Sequence, residues 1–217
     1  MNFIKILGPA GLCLVTLPAL AGPLTDLIMA PGTLTDLPSH AVVRYSLDRR
    51  LPGLPAGQAM PGAGTGVPLP DAVVDGEVLM TVTPGETGPQ IVMTRIEGDQ
   101  TKPVASFSAK GPNPVLIFFL ENVVRNMAAQ TGGSPFYIRN TMRATLAGAA
   151  PDLSGTGPQT VSLTPFAQDP NAARMGDWAG LAVDLTFDPA DPGMITQLAA
   201  HAGDGPGAYS ETMTLEE

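Results

Sequence analysis

The sequence predicts an α+β domain: an antiparallel, curved sheet of six to eight strands packed on an inserted two-helix hairpin. Three observations lead there. Gly (25) and Pro (23) make up more than a fifth of the 217 residues, which suits a loop-rich β-containing protein and argues against a coiled coil or an all-helical bundle. Short runs of alternating apolar and polar residues recur between Gly/Pro turns in both halves of the chain, the pattern of antiparallel strands with one buried face. Between them lies one stretch, 113–148, with the spacing of two helices.

Residues 1–21 read as a signal peptide. Lys5 is the only charge among the first 25 residues, and an apolar run from Ile6 to Leu17 precedes Pro18-Ala19-Leu20-Ala21, which places small residues where a signal peptidase inspects the chain. A spanning helix needs about 20 apolar residues, whereas this run is shorter and broken by Gly8-Pro9 and Gly11. Cys13, the only cysteine, follows Leu12 inside the run, a poor lipidation context. Cleavage after Ala21 removes it, and with it any disulfide or thiol chemistry. The expected location is the periplasm, or outside the cell, reached by a Sec-type route. Residues 22–217 form a single domain of a size that buries a real core.

The elements follow in order. Leu24-Thr25-Asp26-Leu27 and Leu34-Thr35-Asp36-Leu37 repeat ten residues apart, too little to build a repeat on. Ala41–Asp48 alternates as a first strand. Residues 51–70 hold five Pro and five Gly and no charge, an irregular excursion in which Pro fixes φ and Gly frees it. Strands at Glu77–Thr83, Gln90–Glu97 and Val104–Ala109 are separated by turns at Gly85–Pro89 and Gly98-Asp99.

Asn113 then caps a helix that Pro114 starts, where the missing N–H costs nothing. Leu116, Phe119, Leu120, Val123, Val124 and Met127 make its apolar stripe. Glu121 and Arg125 stand in the favourable i,i+4 order, and Thr131-Gly132-Gly133 stops the helix. Ser134-Pro135 begins a second helix that ends at Gly148. Strands return at Thr160–Thr164, Gly180–Phe187 and Tyr209–Leu215, with a turn at 188–193 and a strand or short helix at Met194–His201.

Composition narrows function more than it assigns it. With 20 acidic and 11 basic residues the chain carries a net charge of −9, and without a basic cluster it is a poor partner for nucleic acid. His40 and His201 are the only histidines, and neither shares its segment with an acid–base partner. No Gly-x-Ser-x-Gly elbow, His-Glu-x-x-His helix or Walker loop is present. The Asp184, Asp188 and Asp191 group lacks EF-hand spacing, and the methionines are scattered as core fillers rather than copper ligands. No catalytic residue, metal or cofactor is expected.

The polar feature that stands out is Tyr137, Arg139 and Arg143 within two turns of the second helix. Arg139 and Arg143 are stacked at i,i+4, where like charges repel by a few tenths of a kcal/mol, so something acidic should face them. The simpler candidate is the protein's own carboxylates. The functional one is an anionic ligand held by the Arg pair, its tail on the apolar stripe beneath.

The stretch Asn113-Pro114-Val115-Leu116, continued by Thr131-Gly132-Gly133-Ser134-Pro135-Phe136-Tyr137-Ile138-Arg139-Asn140, resembles a segment of uncharacterised exported proteins of α-proteobacteria. That resemblance implies a periplasmic setting and no reaction type. A sheet wrapped on a helix also resembles, in architecture only, periplasmic lipoprotein carriers. The expectation is a non-enzymatic binding or carrier module for a small apolar or amphipathic anionic ligand. Its alternative is a cell-envelope scaffold that meets a protein partner through its surface or the 51–70 segment.

Overall fold

Alternating side chains must choose a face, and the computed structural model shows which face each run buries. It describes residues 22–52, 71–205 and 207–216. Eight strands form among them: β1 (Val42–Arg50), β2 (Val73–Thr83), β3 (Gln90–Glu97), β4 (Gln100–Ser108), β5 (Gln159–Leu163), β6 (Ala182–Asp188), β7 (Asp191–Ala202) and β8 (Tyr209–Glu216). They make one open, curved antiparallel sheet in the order β4-β3-β2-β1-β8-β7-β6-β5. Two four-stranded meanders therefore meet at a single seam, where β1 pairs with β8 from Arg44–Glu216 to Arg50–Ser210.

Most strand ends agree with the alternation, but β2 and β4 each begin four residues before the expected starts at Glu77 and Val104, and further departures have local causes. β1 runs on to Arg50, past the expected end at Asp48. The expected turn at 188–193 shrinks because the Ala190 N–H donates to Asp188 Oδ1 at 2.9 Å. Asp188 and Asp191 are thereby paired, and Met194–His201 becomes part of a strand. In β2 the register breaks between Leu47 and Arg49 of its partner. There Asp75 takes a left-handed φ of 52°, which Asp tolerates better than most residues. This bulge turns both Val73 and Gly76 inward and leaves Val74 75% exposed.

The connection from β4 to β5 carries α2 (Pro114–Thr131) and α3 (Pro135–Gly148), and α1 (Pro23–Ile28) precedes β1. α2 lies on the apolar face of the sheet, with Val115, Leu116, Phe119, Val123 and Met127 fully buried. Each such side chain contributes about 1.5–3 kcal/mol, so packing rather than helix propensity holds this Val- and Phe-rich segment helical. α3 returns along α2 and buries Ile138, Met142 and Leu146. The other face of the sheet is polar: Thr160 bonds Thr186 at 2.8 Å and Arg44 pairs with Glu77 at 2.7 Å.

Two features lie outside the sequence expectations. α1 buries Leu24 and Ile28 completely, and Leu34 is also buried, so the first Leu of each Leu-Thr-Asp-Leu match is a core residue. Trp178, in a 3₁₀ turn over Gly176–Gly180, packs on Tyr209 with ring centres 4.6 Å apart. Among the described residues no helix is long and apolar enough to cross a membrane. The signal peptide expected at 1–21 and residues 53–70 of the expected Pro/Gly-rich loop lie outside the described residues.

Candidate functional site

The helix hairpin is held at both ends by short-range chemistry. Asn113, buried, accepts from the Val115 N–H at 3.1 Å and donates through Nδ2 to the Gly193 carbonyl at 3.0 Å. One side chain thus caps α2 and ties it to β7. At the far end Gly132 adopts φ 68°, and its N–H donates to Ala128 O at 2.9 Å, a left-handed stop that only Gly adopts without strain. The Ser134 hydroxyl then accepts from the Tyr137 N–H to start α3. Three residues separate the helices, so α3 must fold back antiparallel on α2.

Between them the apolar side chains do not close completely. A cavity of about 250 Å³ lies against Ile117, Leu120 and Val124 of α2, Met142 and Leu146 of α3, and Met29 just after α1. Glu121, Arg139 and Arg143 also line it. Behind Leu120, Met142 and Leu146, toward β5 and β6, only about 10 Å³ remains, so the cavity is closed on the sheet side.

Glu121 takes charge from two directions. It accepts from Arg125 Nε on its own helix at 3.2 Å, and from Arg139 Nε and Nη2 across the hairpin at 2.9–3.1 Å. The protein's own carboxylate therefore answers Arg139, the simpler of the two expectations. Arg143 is exposed and makes no ion pair among the described residues. Of the three residues singled out in the sequence, Arg139 and Arg143 come together at the cavity and Tyr137 does not. Its hydroxyl donates to Asp169 Oδ2 at 2.7 Å and accepts from Asn171 Nδ2 at 3.2 Å. Desolvation is the largest single influence and raises the Asp169 carboxyl, but the hydrogen bonds from Tyr137 and Asn171 together outweigh it and hold the group below its ordinary value. Tyr137 is a clamp on the loop after β5.

A second polar group escaped the sequence reading altogether. Arg49 and Glu211 pair directly across the β1–β8 seam, both side chains wholly buried. Arg49 Nε and Nη2 each donate to Glu211 at 2.8 Å, and Nη1 donates to the Asp71 carbonyl at 3.0 Å. Asn122 of α2 and the Tyr209 hydroxyl complete the carboxylate, at 3.0 and 2.9 Å. Desolvation disfavours the Arg49 charge, but the Glu211 bonds more than offset it and leave the guanidinium pKa raised. Burial, and then the Glu211 charge, push the Tyr209 phenol well up. Asn126, also buried, lies toward Tyr209, yet its Nδ2 has no hydrogen-bond partner.

The signal for this cluster was present in the pattern. Continuing Val43, Tyr45, Leu47 by one step gives Arg49, and Glu211 falls between Tyr209 and Met213 on the apolar side of β8. A charge at a buried-face position calls for a partner, although neither strand's own pattern says which residue that partner is. His40 and His201 are both exposed, and among the described residues no three His, Cys, Asp or Glu side chains gather as a metal site. No protein-family model matches the chain, and no curated protein matches it either.

Proposed function

We propose that this protein is a non-enzymatic binding or carrier module for a small apolar or amphipathic anionic ligand. The observation that carries this is the 250 Å³ cavity between α2 and α3, apolar in its depth and bordered by Arg139 and Arg143. Small-ligand sites are of this kind, concave and mostly apolar with a few polar groups at fixed places. The buried Arg49–Glu211 cluster is a poor rival, because nearly every polar atom there is already satisfied within the fold. An exported, periplasmic setting fits both the leader-like residues 1–21 and the resemblance to exported α-proteobacterial proteins.

Native mass spectrometry of protein purified from its host, followed by solvent extraction, tests the proposal. A small-molecule adduct is expected, and Leu120→Trp, which fills the cavity, should lose it while keeping the wild-type circular dichroism. Protein that carries no adduct and takes up no apolar compound overturns the binding role.

A further inference from the structure

Resting on that binding role, we infer that the ligand is a single-chain monocarboxylate of about eight to ten carbons, its head group on Arg143 and its chain between α2 and α3. The charge at the rim supports the head group. Three arginines, Arg125, Arg139 and Arg143, stand on the hairpin, but Glu121 pairs only with Arg125 and Arg139, in a chain whose net charge is −9. Arg139 already spends Nε and Nη2 on Glu121. Arg143 stands one turn further along α3, lines the same cavity and has no carboxylate among the described residues. Its planar fork matches the two oxygens of a carboxylate. Glu121 pairs with Arg125 and Arg139, so of the two guanidinium groups that line the cavity Arg143 is the one without a carboxylate among the described residues.

The depth of the cavity sets the tail. Ile117, Leu120, Val124, Met142 and Leu146 offer no hydrogen-bonding group, so a hydroxyl or amide carried inward would lose its water without replacement. An apolar cavity of about 150 Å³ takes up a six-carbon benzene ring, so one of about 250 Å³ suits a chain of roughly eight to ten carbons. The tight packing behind Leu120 and Met142 gives a longer chain no way deeper. The unbranched Met side chains adjust to a flexible chain better than β-branched ones do.

Isothermal titration with saturated carboxylates from six to sixteen carbons, below their micelle concentrations, tests this together with the matching primary alcohols, alkyl phosphates and alkyltrimethylammonium salts. Affinity for carboxylates should rise about fourfold per methylene and level off near ten carbons. Arg143→Gln should weaken decanoate about tenfold or more and leave decanol unchanged, with circular dichroism confirming that the variant folds. Alcohols binding as well as carboxylates, phosphates or ammonium salts binding better, an unaltered Arg143→Gln variant, or affinity climbing on to sixteen carbons would each overturn the ligand assignment and leave the binding role standing. If no compound of any class binds the wild-type protein, the binding role fails with it.

Discussion

Arg49 and Glu211 face each other with neither side chain exposed, and removing two charges from water costs several kcal/mol per ion. The cost is met only because both Glu211 oxygens receive two donors, from Arg49 with either Asn122 or Tyr209. Losing one partner therefore leaves a bare buried charge. Glu211→Ala or Arg49→Ala should each lower unfolding free energy by about 3–5 kcal/mol, measured by urea denaturation. The double variant Arg49→Met/Glu211→Leu should recover much of that loss, because neither charge remains to be desolvated. A double variant no better than the sum of the single ones would show that the cost lies in packing rather than in charge. Residue-scale reading of the sequence did not reach this pair, since the first strand was expected to end at Asp48, one residue short of Arg49. The Arg139–Arg143 spacing was legible. Which carboxylate would answer it was not, because Glu121 lies 18 positions away and meets Arg139 only when the hairpin closes.

Elements were legible wherever the stop signals are local. α2 begins at Pro114 and ends before Gly132, and α3 spans Pro135–Gly148, as the Asn-Pro, Gly-Gly and Ser-Pro signals require. Asn113 has a second role that no local rule contains, the bond to Gly193 of β7. Asn113→Ala should destabilise the protein by about 1–2 kcal/mol for the cap, plus the cost of an unsatisfied Gly193 carbonyl. Asn113→Ser, which keeps the cap acceptor but does not reach Gly193, should fall between alanine and wild type in the same urea measurement. α1 escaped notice for a physical reason: six residues cannot hold a helix unaided, and only the burial of Leu24 and Ile28 does so here.

Across the whole molecule the seam and the curvature bring distant strands into register. The Tyr45 hydroxyl on β1 donates to the Ile195 carbonyl on β7 at 2.8 Å, beyond the β7–β8 pairs, which begin at Gln197 with Thr214. Burial raises the Tyr45 phenol strongly, and burial with Glu211 raises that of Tyr209. Both groups stay protonated in the fold above pH 10, where an unfolded tyrosine ionises. The unfolded chain then binds fewer protons, so stability is fully present below about pH 10 and falls as pH rises beyond it. The slope should be about 2.7 kcal/mol per pH unit for the two tyrosines together. Urea titrations between pH 9 and 11.5 should show this decline, and Tyr209→Phe should roughly halve the slope. A flat profile would mean that one or both phenols reach solvent.

By itself the sequence determined the class of the fold, the antiparallel strands, the helix hairpin with its ends, and the Arg pair on α3. Periodicity, caps and turns are carried by neighbouring residues, so they can be read without knowing what lies opposite. Only the tertiary structure decided that β1 and β8 join the two meanders, that Arg49 meets Glu211, and that Glu121 holds Arg139 while Arg143 borders a cavity. Those outcomes depend on which surfaces meet after the chain folds back on itself. Pairings across 162 positions, as between Arg49 and Glu211, leave no mark in the residues that lie between them.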